Sequence, residues 1–132
     1  MKLRFDAVGL FAKDMARMVA FYRDVLGMET DWDGNAANAE LKADGFRLIM
    51  YGREDFEKMT SRRFGYPQGT NGTMELAFEA ENYAAVDRAF ERVTQAGAAS
   101  VMPPATEPWG QRTCYVADPD GNLVEIGSFN QG

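Results

Sequence analysis

Glu125 is the residue whose type and position first suggest chemistry, because it is a carboxylate on the second arm of a predicted β-hairpin. The arms are Thr113-Cys-Tyr-Val116 and Leu123-Val-Glu-Ile126, both rich in residues that favour strands. Asp118-Pro-Asp-Gly121 joins them with turn chemistry, since Pro presets φ and Gly accepts a positive φ. A carboxylate on such a strand can act as an acid, as a base or as a receptor for a cation.

The chain contains no histidine and a single cysteine. Mechanisms in which histidine is a general base, the partner of a nucleophile or a metal ligand are therefore excluded. Cys114 has no partner for an internal disulfide and no histidine to activate it. We expect it to be a small core residue on a strand, and not a nucleophile.

Composition limits the partners and the location of the chain. The net charge of −6 is not accompanied by a basic stripe, so the phosphate contacts that nucleic-acid binding requires are missing. No apolar run approaches the roughly 20 residues that a membrane span needs. Met1 leads directly into a strand pattern without an apolar signal segment. We expect a soluble protein of a reducing cytoplasm, with neither nucleic acid nor membrane as a partner.

The elements that must position Glu125 occur twice in the same order. In the first half, Leu3–Phe11 alternates as a strand, and a helix follows that Asp14 caps and Gly27 ends. Three short strands are predicted near 29–33, 38–42 and 46–51, separated by turn residues. This half is predicted to be a β-α-β-β-β module.

The second half begins with a strand, Thr73–Glu79, followed by a helix over 83–95 that Gly97 closes as Gly27 closes the first helix. Short strands near 99–102, 111–117 and 122–128 complete it. The sequence therefore predicts an α+β fold, in which two tandem β-α-β-β-β modules form a curved mixed sheet around a cleft. We assign one domain, 1–132, made of modules 3–51 and 73–129 with 52–72 as a linker or lid that includes a short helix in one alternative.

The repeat and its motifs resemble those of the vicinal oxygen chelate superfamily, which comprises glyoxalase, bleomycin-resistance and extradiol-dioxygenase-like proteins. The resemblance rests on the order of motifs: Lys13-Asp-Met, Phe21-Tyr22, Leu26-Gly27-Met28, Pro108-Trp-Gly and Asp118-Pro-Asp-Gly-Asn before the strand of Glu125. It implies two modules whose strands form an open, barrel-like sheet around a small-molecule cleft, usually in a homodimer.

In metal-dependent members, the resemblance implies four ligand positions on strands, which fall here on Ala7, Ile49, Thr73 and Glu125. Only Glu125 can bind a metal as the family does, whereas zinc, nickel or iron needs about three to four N, O or S ligands. We therefore expect neither a metal nor another cofactor.

A second carboxylate, Glu75, lies two residues after Thr73 and is expected on the same face of its strand. If Glu75 and Glu125 share the cleft, the pKa of one of them should rise. The pair would then serve as a general acid or base, or as a receptor for a cationic or amine-bearing ligand. The alternative is that either carboxylate faces solvent or is hydrogen-bonded to a strand neighbour.

Three further residues are candidates for ligand binding. Trp109 and Tyr51 offer ring faces on which a flat or cationic compound could stack. Arg47 could recognise a carboxylate, with a surface ion pair as the alternative. Together with Glu125, Glu75 and Thr73, they form the predicted ligand-binding set.

These residues favour a metal-free small-molecule binding protein, similar to the bleomycin-resistance branch, that captures a hydrophobic or aromatic ligand in the cleft of a homodimer. Its catalytic residues, if it has any, are unknown, and Glu125 is the best candidate. One alternative is a lyase-, isomerase- or dioxygenase-like enzyme of the same superfamily with a non-standard metal site. Another is an interaction subunit with a vestigial cleft.

Overall fold

The computed structural model describes all 132 residues, which divide into two compact units, unit 1 (Met1–Tyr66) and unit 2 (Pro67–Gly132). The elements of unit 1 are β1 (Val8–Ala12), α1 (Met15–Ala20) with a π-helical continuation (Phe21–Val25), β2 (Asn38–Ala43), β3 (Phe46–Gly52) and α2 (Arg53–Thr60). The elements of unit 2 are β4 (Asn71–Glu79), α3 (Tyr83–Gln95), β5 (Ala99–Thr106), β6 (Arg112–Ala117) and β7 (Asn122–Ser128).

Both units contain a mixed sheet in which the first strand pairs in parallel with the last. The strand order is β1-β3-β2 in unit 1 and β4-β7-β6-β5 in unit 2. In each case the remaining neighbours pair antiparallel. The α+β class and the repeated arrangement of strands around one main helix are therefore confirmed. No helix reaches the length and apolarity that a membrane crossing requires.

Helix caps explain where the two main helices begin. Asp14 accepts a hydrogen bond from the backbone N–H of Arg17, and Asn82 accepts one from that of Ala85. The first helix ends as predicted at Gly27, which has a φ of +81°. The predicted bounds of the second helix, 83–95, agree with those of α3.

The strand predicted near 29–33 is wrong, because only Glu29 pairs, in an isolated bridge with Lys42. Side chains after Glu29 bond to the local backbone instead of leaving it free for a ladder. The indole of Trp32 donates to the carbonyl of Ala36, and Asp33 accepts from the backbone N–H groups of Asn35 and Ala36.

The first strand also begins later than Leu3. In the register of β1 with β3, Val8 lies opposite Leu48. Since β3 begins at Phe46, it offers no partner to residues before Asp6. Leu3 and Phe5 are consequently 81% and 82% exposed. The alternation that predicted this strand describes residues that have no neighbouring strand.

Within the predicted connecting segment 52–72, the structure has a helix, α2, whose Phe56 packs on the unit 1 sheet. The Phe56 ring lies 4.1 Å from that of Phe11 and 5.2 Å from that of Phe64, measured between centroids. Arg53 lies over the ring of Tyr66, 4.3 Å from its centroid. The segment is therefore structured over its first half, by aromatic stacking and a cation–π contact.

The core of unit 2 lies between its sheet and its helix. α3 packs against β5, β6 and β7, and Val86 and Val93 of α3 are fully buried, as are Val116 of β6 and Val124 of β7. Because side chains alternate along a strand, the neighbours of Val124 point to the opposite face of the sheet. Glu125 is thereby placed on the face that the helix does not cover.

Candidate functional site

Glu125 lies on the central strand pair of unit 2, with a neighbour on each side. Its partner on β6 is Tyr115, and its partner on β4 is Ala77. Two residues before Ala77, Glu75 lies on the same face, since Leu76 between them is buried. The register therefore brings Glu75, Tyr115 and Glu125 together on the helix-free face.

These three side chains lie close enough to interact with one another. The hydroxyl of Tyr115 donates to Oε1 of Glu75 over 3.1 Å. The carboxyl groups of Glu75 and Glu125, which we call the carboxyl pair, are close enough that Glu125 raises the pKa of Glu75. Two carboxyl groups in this arrangement favour retention of a proton, because two neighbouring negative charges repel each other.

The pKa of Glu75 reflects this arrangement. Partial desolvation raises the pKa of Glu75, and the hydrogen bond and charge of Glu125 raise it further, whereas the Tyr115 hydroxyl lowers it. Desolvation and the two carboxylate charges also raise the pKa of Tyr115, so its phenol remains a neutral donor. Glu75 therefore keeps its proton to a higher pH than an ordinary glutamate does.

On its other side, Glu125 accepts hydrogen bonds from Thr113 of β6 and from Gln111, which directly precedes β6. Thr113 Oγ1 donates to Glu125 Oε2 over 2.6 Å, and Gln111 Nε2 donates to the same oxygen over 3.4 Å. Thr113 is buried, whereas Glu125 and Gln111 are half-buried. Both hydrogen bonds fix the orientation of the carboxyl group that accepts them.

Gly127 provides the room for these donors. A Cβ atom at this position would lie 2.7 Å from Gln111 Nε2 and 3.0 Å from Thr113 Oγ1. Gly127 is opposite Thr113 in the β6–β7 ladder, so the two donors pass over a residue without a side chain. The absence of a side chain at 127 therefore allows the cradle of Glu125 to form.

Trp109 joins the site through Gln111. Its indole N–H donates to Gln111 Oε1 over 2.9 Å, and its side chain is 62% exposed. An exposed ring that is fixed at its N–H leaves its face available for stacking. Within unit 2, the structure thus groups Trp109 with the carboxyl pair.

Thr73 belongs to an irregular part of β4. The pairing with β7 shifts register between Asn71 and Glu75, so Thr73 lies in a bulge. The backbone N–H of Thr73 donates to Asn71 Oδ1, and its side chain is exposed. Simple alternation from Glu75 therefore does not describe the orientation of Thr73.

Arg47 and Tyr51 belong to β3 of unit 1. The guanidinium of Arg47 donates to both Asp6 and Glu40, which is the ion-pair alternative stated for this residue. The hydrogen bond that Glu40 accepts from Arg47, together with the nearby Lys42, lowers the pKa of Glu40 to about 2. Tyr51 packs edge-to-face on Phe56, with 6.1 Å between ring centroids.

Three members of the site carry roles that the sequence analysis did not assign, namely Gln111, Thr113 and Tyr115. They lie at alternate positions leading into and along β6, and the hairpin register places Tyr115 opposite Glu125. The alternation on the first arm of the hairpin was the signal that could have identified them.

The residues present do not fit the divalent metal of metal-dependent superfamily members. Ala7 and Ile49 have no donor atom, Thr73 offers one exposed hydroxyl, and Glu125 already accepts two hydrogen bonds. Nowhere in the chain do three or more His, Cys, Asp or Glu side chains group so as to hold a metal. The chemistry of the site is therefore that of two neighbouring carboxyl groups, one of which has a raised pKa, and such a pair can accept a cation or transfer a proton.

Comparison with solved structures shows the same fold in several proteins of known structure. A glyoxalase-related enzyme from Fulvimarina pelagi is 26% identical, with a TM-score of 0.80 over 96% of this chain and 88% of that one. Lactoylglutathione lyase from Agrobacterium tumefaciens is 25% identical, with a TM-score of 0.74 over 97% and 95% of the two chains.

The fosfomycin resistance protein FosX from Listeria monocytogenes shares the fold alone, at 19% identity and a TM-score of 0.72 over 97% of this chain and 94% of that one. No significant match is found among curated protein sequences. The family model of the Glyoxalase/Bleomycin resistance protein/Dioxygenase superfamily matches residues 4–126. The chain therefore belongs to this superfamily.

Proposed function

We propose that this protein binds a small organic cation, an amine attached to an aromatic group, at the carboxyl pair of Glu75 and Glu125, without a protein-bound metal. The observation that carries the proposal is the meeting of two carboxyl groups on one sheet face, where the hydroxyl of Tyr115 donates to Glu75. An ammonium group between the two carboxyl groups would remove the charge repulsion that contributes to the raised pKa of Glu75.

The surroundings of the pair support an aromatic ligand. Trp109 is hydrogen-bonded to Gln111, which in turn donates to Glu125, so an exposed indole lies within two hydrogen bonds of that carboxyl group. Stacking and cation–π contacts contribute about 0.5–2 kcal/mol each. Bleomycin-resistance members of the superfamily are the nearest functional analogy, and it is an analogy of family only.

The matched test is NMR titration with phenethylamine and with its uncharged analogue phenethyl alcohol. Hydrogen bonds to charged groups contribute about 1.5–3 kcal/mol, so the wild-type protein should prefer the amine by roughly tenfold or more. Glu125→Gln should lose this preference, whereas Glu79→Gln, at an exposed position of the same β4 strand as Glu75, should keep it. Equal affinity for amine and alcohol in the wild-type protein would overturn the proposal.

A second candidate, an enzyme that transfers protons, is favoured by the raised pKa of Glu75. A neutral acid beside an ionised carboxylate is the arrangement that separates the acid and base roles of two carboxyl groups. Such an enzyme would exchange the C–H protons next to the carbonyl of a small ketone or aldehyde. Exchange in deuterated water that Glu75→Gln abolishes would support this candidate, and exchange no faster than in buffer would exclude it.

The oligomeric state and the location of the protein are proposed on separate grounds. We expect a homodimer, since Leu3, Phe5 and Phe129 expose large apolar side chains and superfamily members are usually dimeric. We also expect a cytoplasmic protein, because the single cysteine is buried and has no partner for an internal disulfide. We expect residues 1–132 to act as one domain, because a single family match spans residues 4–126. Light scattering of the purified protein tests the first expectation, and a monomer at all concentrations would contradict it.

A further inference from the structure

One amide group, that of Gln111, contacts both parts of the candidate site. Its Oε1 accepts from the indole N–H of Trp109 over 2.9 Å, and its Nε2 donates to Glu125 over 3.4 Å. The two ends of the same planar group are therefore in use, and rotation of the amide would break both bonds at once.

The position of this amide is set by the backbone beneath it. A Cβ on Gly127 would lie 2.7 Å from Gln111 Nε2, so the amide occupies space that any other residue at 127 would fill. The turn before Gln111 is closed at the same time, because the backbone N–H of Glu107 donates to the carbonyl of Gln111 over 2.8 Å. Gln111 is thus fixed at its backbone and its side chain.

Trp109 has an anchored backbone and a side chain with one polar contact. Its neighbour Gly110 donates to the carbonyl of Glu107 over 2.9 Å and accepts from the hydroxyl of Tyr83, which fixes the turn. The indole, by contrast, is largely exposed, and its hydrogen bond to Gln111 is the polar contact that orients it. The direction of the ring therefore depends on Gln111.

We infer that Gln111 is a positioning residue that couples the ring of Trp109 to the carboxylate of Glu125, so that the site selects a ligand carrying its aromatic group and its ammonium group together. This inference rests on the proposed function and adds the residue that determines specificity. A compound with only one of the two groups would gain from one contact and would not benefit from the coupling.

The test compares phenethylamine with propylamine, an amine without a ring, by NMR titration of the whole protein. Gln111→Leu removes both hydrogen bonds at similar volume. The loss of the hydrogen bond that orients the Trp109 ring costs about 0.5–1.5 kcal/mol, so the variant should bind phenethylamine roughly threefold to tenfold more weakly. It should bind propylamine within about twofold of the wild-type value. Gln95→Leu, on the surface of α3, is the control for the same exchange and should change neither affinity.

A second variant distinguishes coupling from a general loss of structure. Trp109→Phe keeps an aromatic ring but removes the N–H donor, so it should reproduce the effect of Gln111→Leu. The double variant should be no worse than either single one, because both remove the same coupling. Additive losses, or an equal loss of both amines in Gln111→Leu, would overturn the inference while leaving the proposed function in place. Failure of the wild-type protein to bind either amine would overturn both.

Discussion

The hydroxyl of Tyr115 lies 3.1 Å from Oε1 of Glu75, although these residues are on strands separated by β7, which carries Glu125. The phenol spans the central strand because Glu125 lies directly opposite Tyr115 in the ladder and Glu75 lies just beyond it. Three polar side chains thus meet on a sheet face that a core would fill with apolar ones. Such clusters raise pKa values and are typical of functional sites.

The carboxyl pair should make the stability of the protein depend on pH above the ordinary range of glutamate. The folded state raises the pKa of Glu75 above its ordinary value of 4.5. As the pH rises from 4.5, the unfolded chain releases this proton first, so the free energy of unfolding should fall until the folded pKa is passed. Urea unfolding across this window should show the decline in the wild-type protein and a flatter profile in Glu75→Gln. A Glu75→Gln profile as steep as that of the wild type would contradict the assignment.

The Arg47–Glu40 pair should have the opposite effect at lower pH. The hydrogen bond from Arg47 lowers the pKa of Glu40 from 4.5 to about 2 in the folded state. The stabilisation is therefore complete above pH 4.5 and is lost as the pH falls toward 2. Acid unfolding followed by circular dichroism should show a shallower loss in Glu40→Gln than in the wild type, with Glu79→Gln as the control. The effect is small because the pair is accessible to water.

Gly127→Ala should destabilise the protein and disturb the cradle of Glu125. The added methyl group would lie 2.7 Å from Gln111 Nε2 and 3.0 Å from Thr113 Oγ1, so the flexible Gln111 side chain would have to shift, and the loss of a hydrogen bond costs about 0.5–1.5 kcal/mol. Gly9→Ala, in β1, is a suitable control, because its nearest neighbour there would be a backbone oxygen at 3.8 Å. Urea midpoints measure the difference between the two variants. If both had the same midpoint, the close packing around Gly127 would be disproved.

Cys114 should resist thiol reagents until the protein unfolds. Its side chain is fully buried, and desolvation raises the pKa of the thiol to about 11. At pH 8 about one thiol in a thousand would be ionised, and the thiolate is the reactive form. Labelling with an aromatic disulfide should therefore be slow in buffer and fast in urea. Rapid labelling of the native protein would show that β6 opens to solvent.

The sequence was sufficient for the elements that depend on local signals. The bounds of α3 follow from its N-cap and its closing glycine, and the hairpin of β6 and β7 follows from the Asp118–Gly121 turn. Glu75 and Glu125 do lie together, and the pKa of Glu75 is raised, whereas their role in ligand binding remains a prediction.

The sequence was insufficient where structure depends on partners that are distant along the chain. Leu3 and Phe5 alternate like strand residues, but β3 is too short to pair with them. The segment after Glu29 forms local hydrogen bonds from Asp33 in place of a ladder. The contacts of Gln111 with Glu125 and Trp109 depend on the missing side chain of Gly127, which no propensity describes.

The most direct test of the central claim, that Glu75 and Glu125 form one site for a cation, is a carbon-13 NMR titration of the glutamate carboxyl groups with and without phenethylamine. In the free protein, Glu75 should titrate above its ordinary value of 4.5. Saturating amine should lower its pKa, because the ammonium group favours the ionised form, and Glu125→Gln should remove most of this change. An unshifted Glu75 in the free protein, or a pKa that the amine leaves unchanged, would contradict the claim.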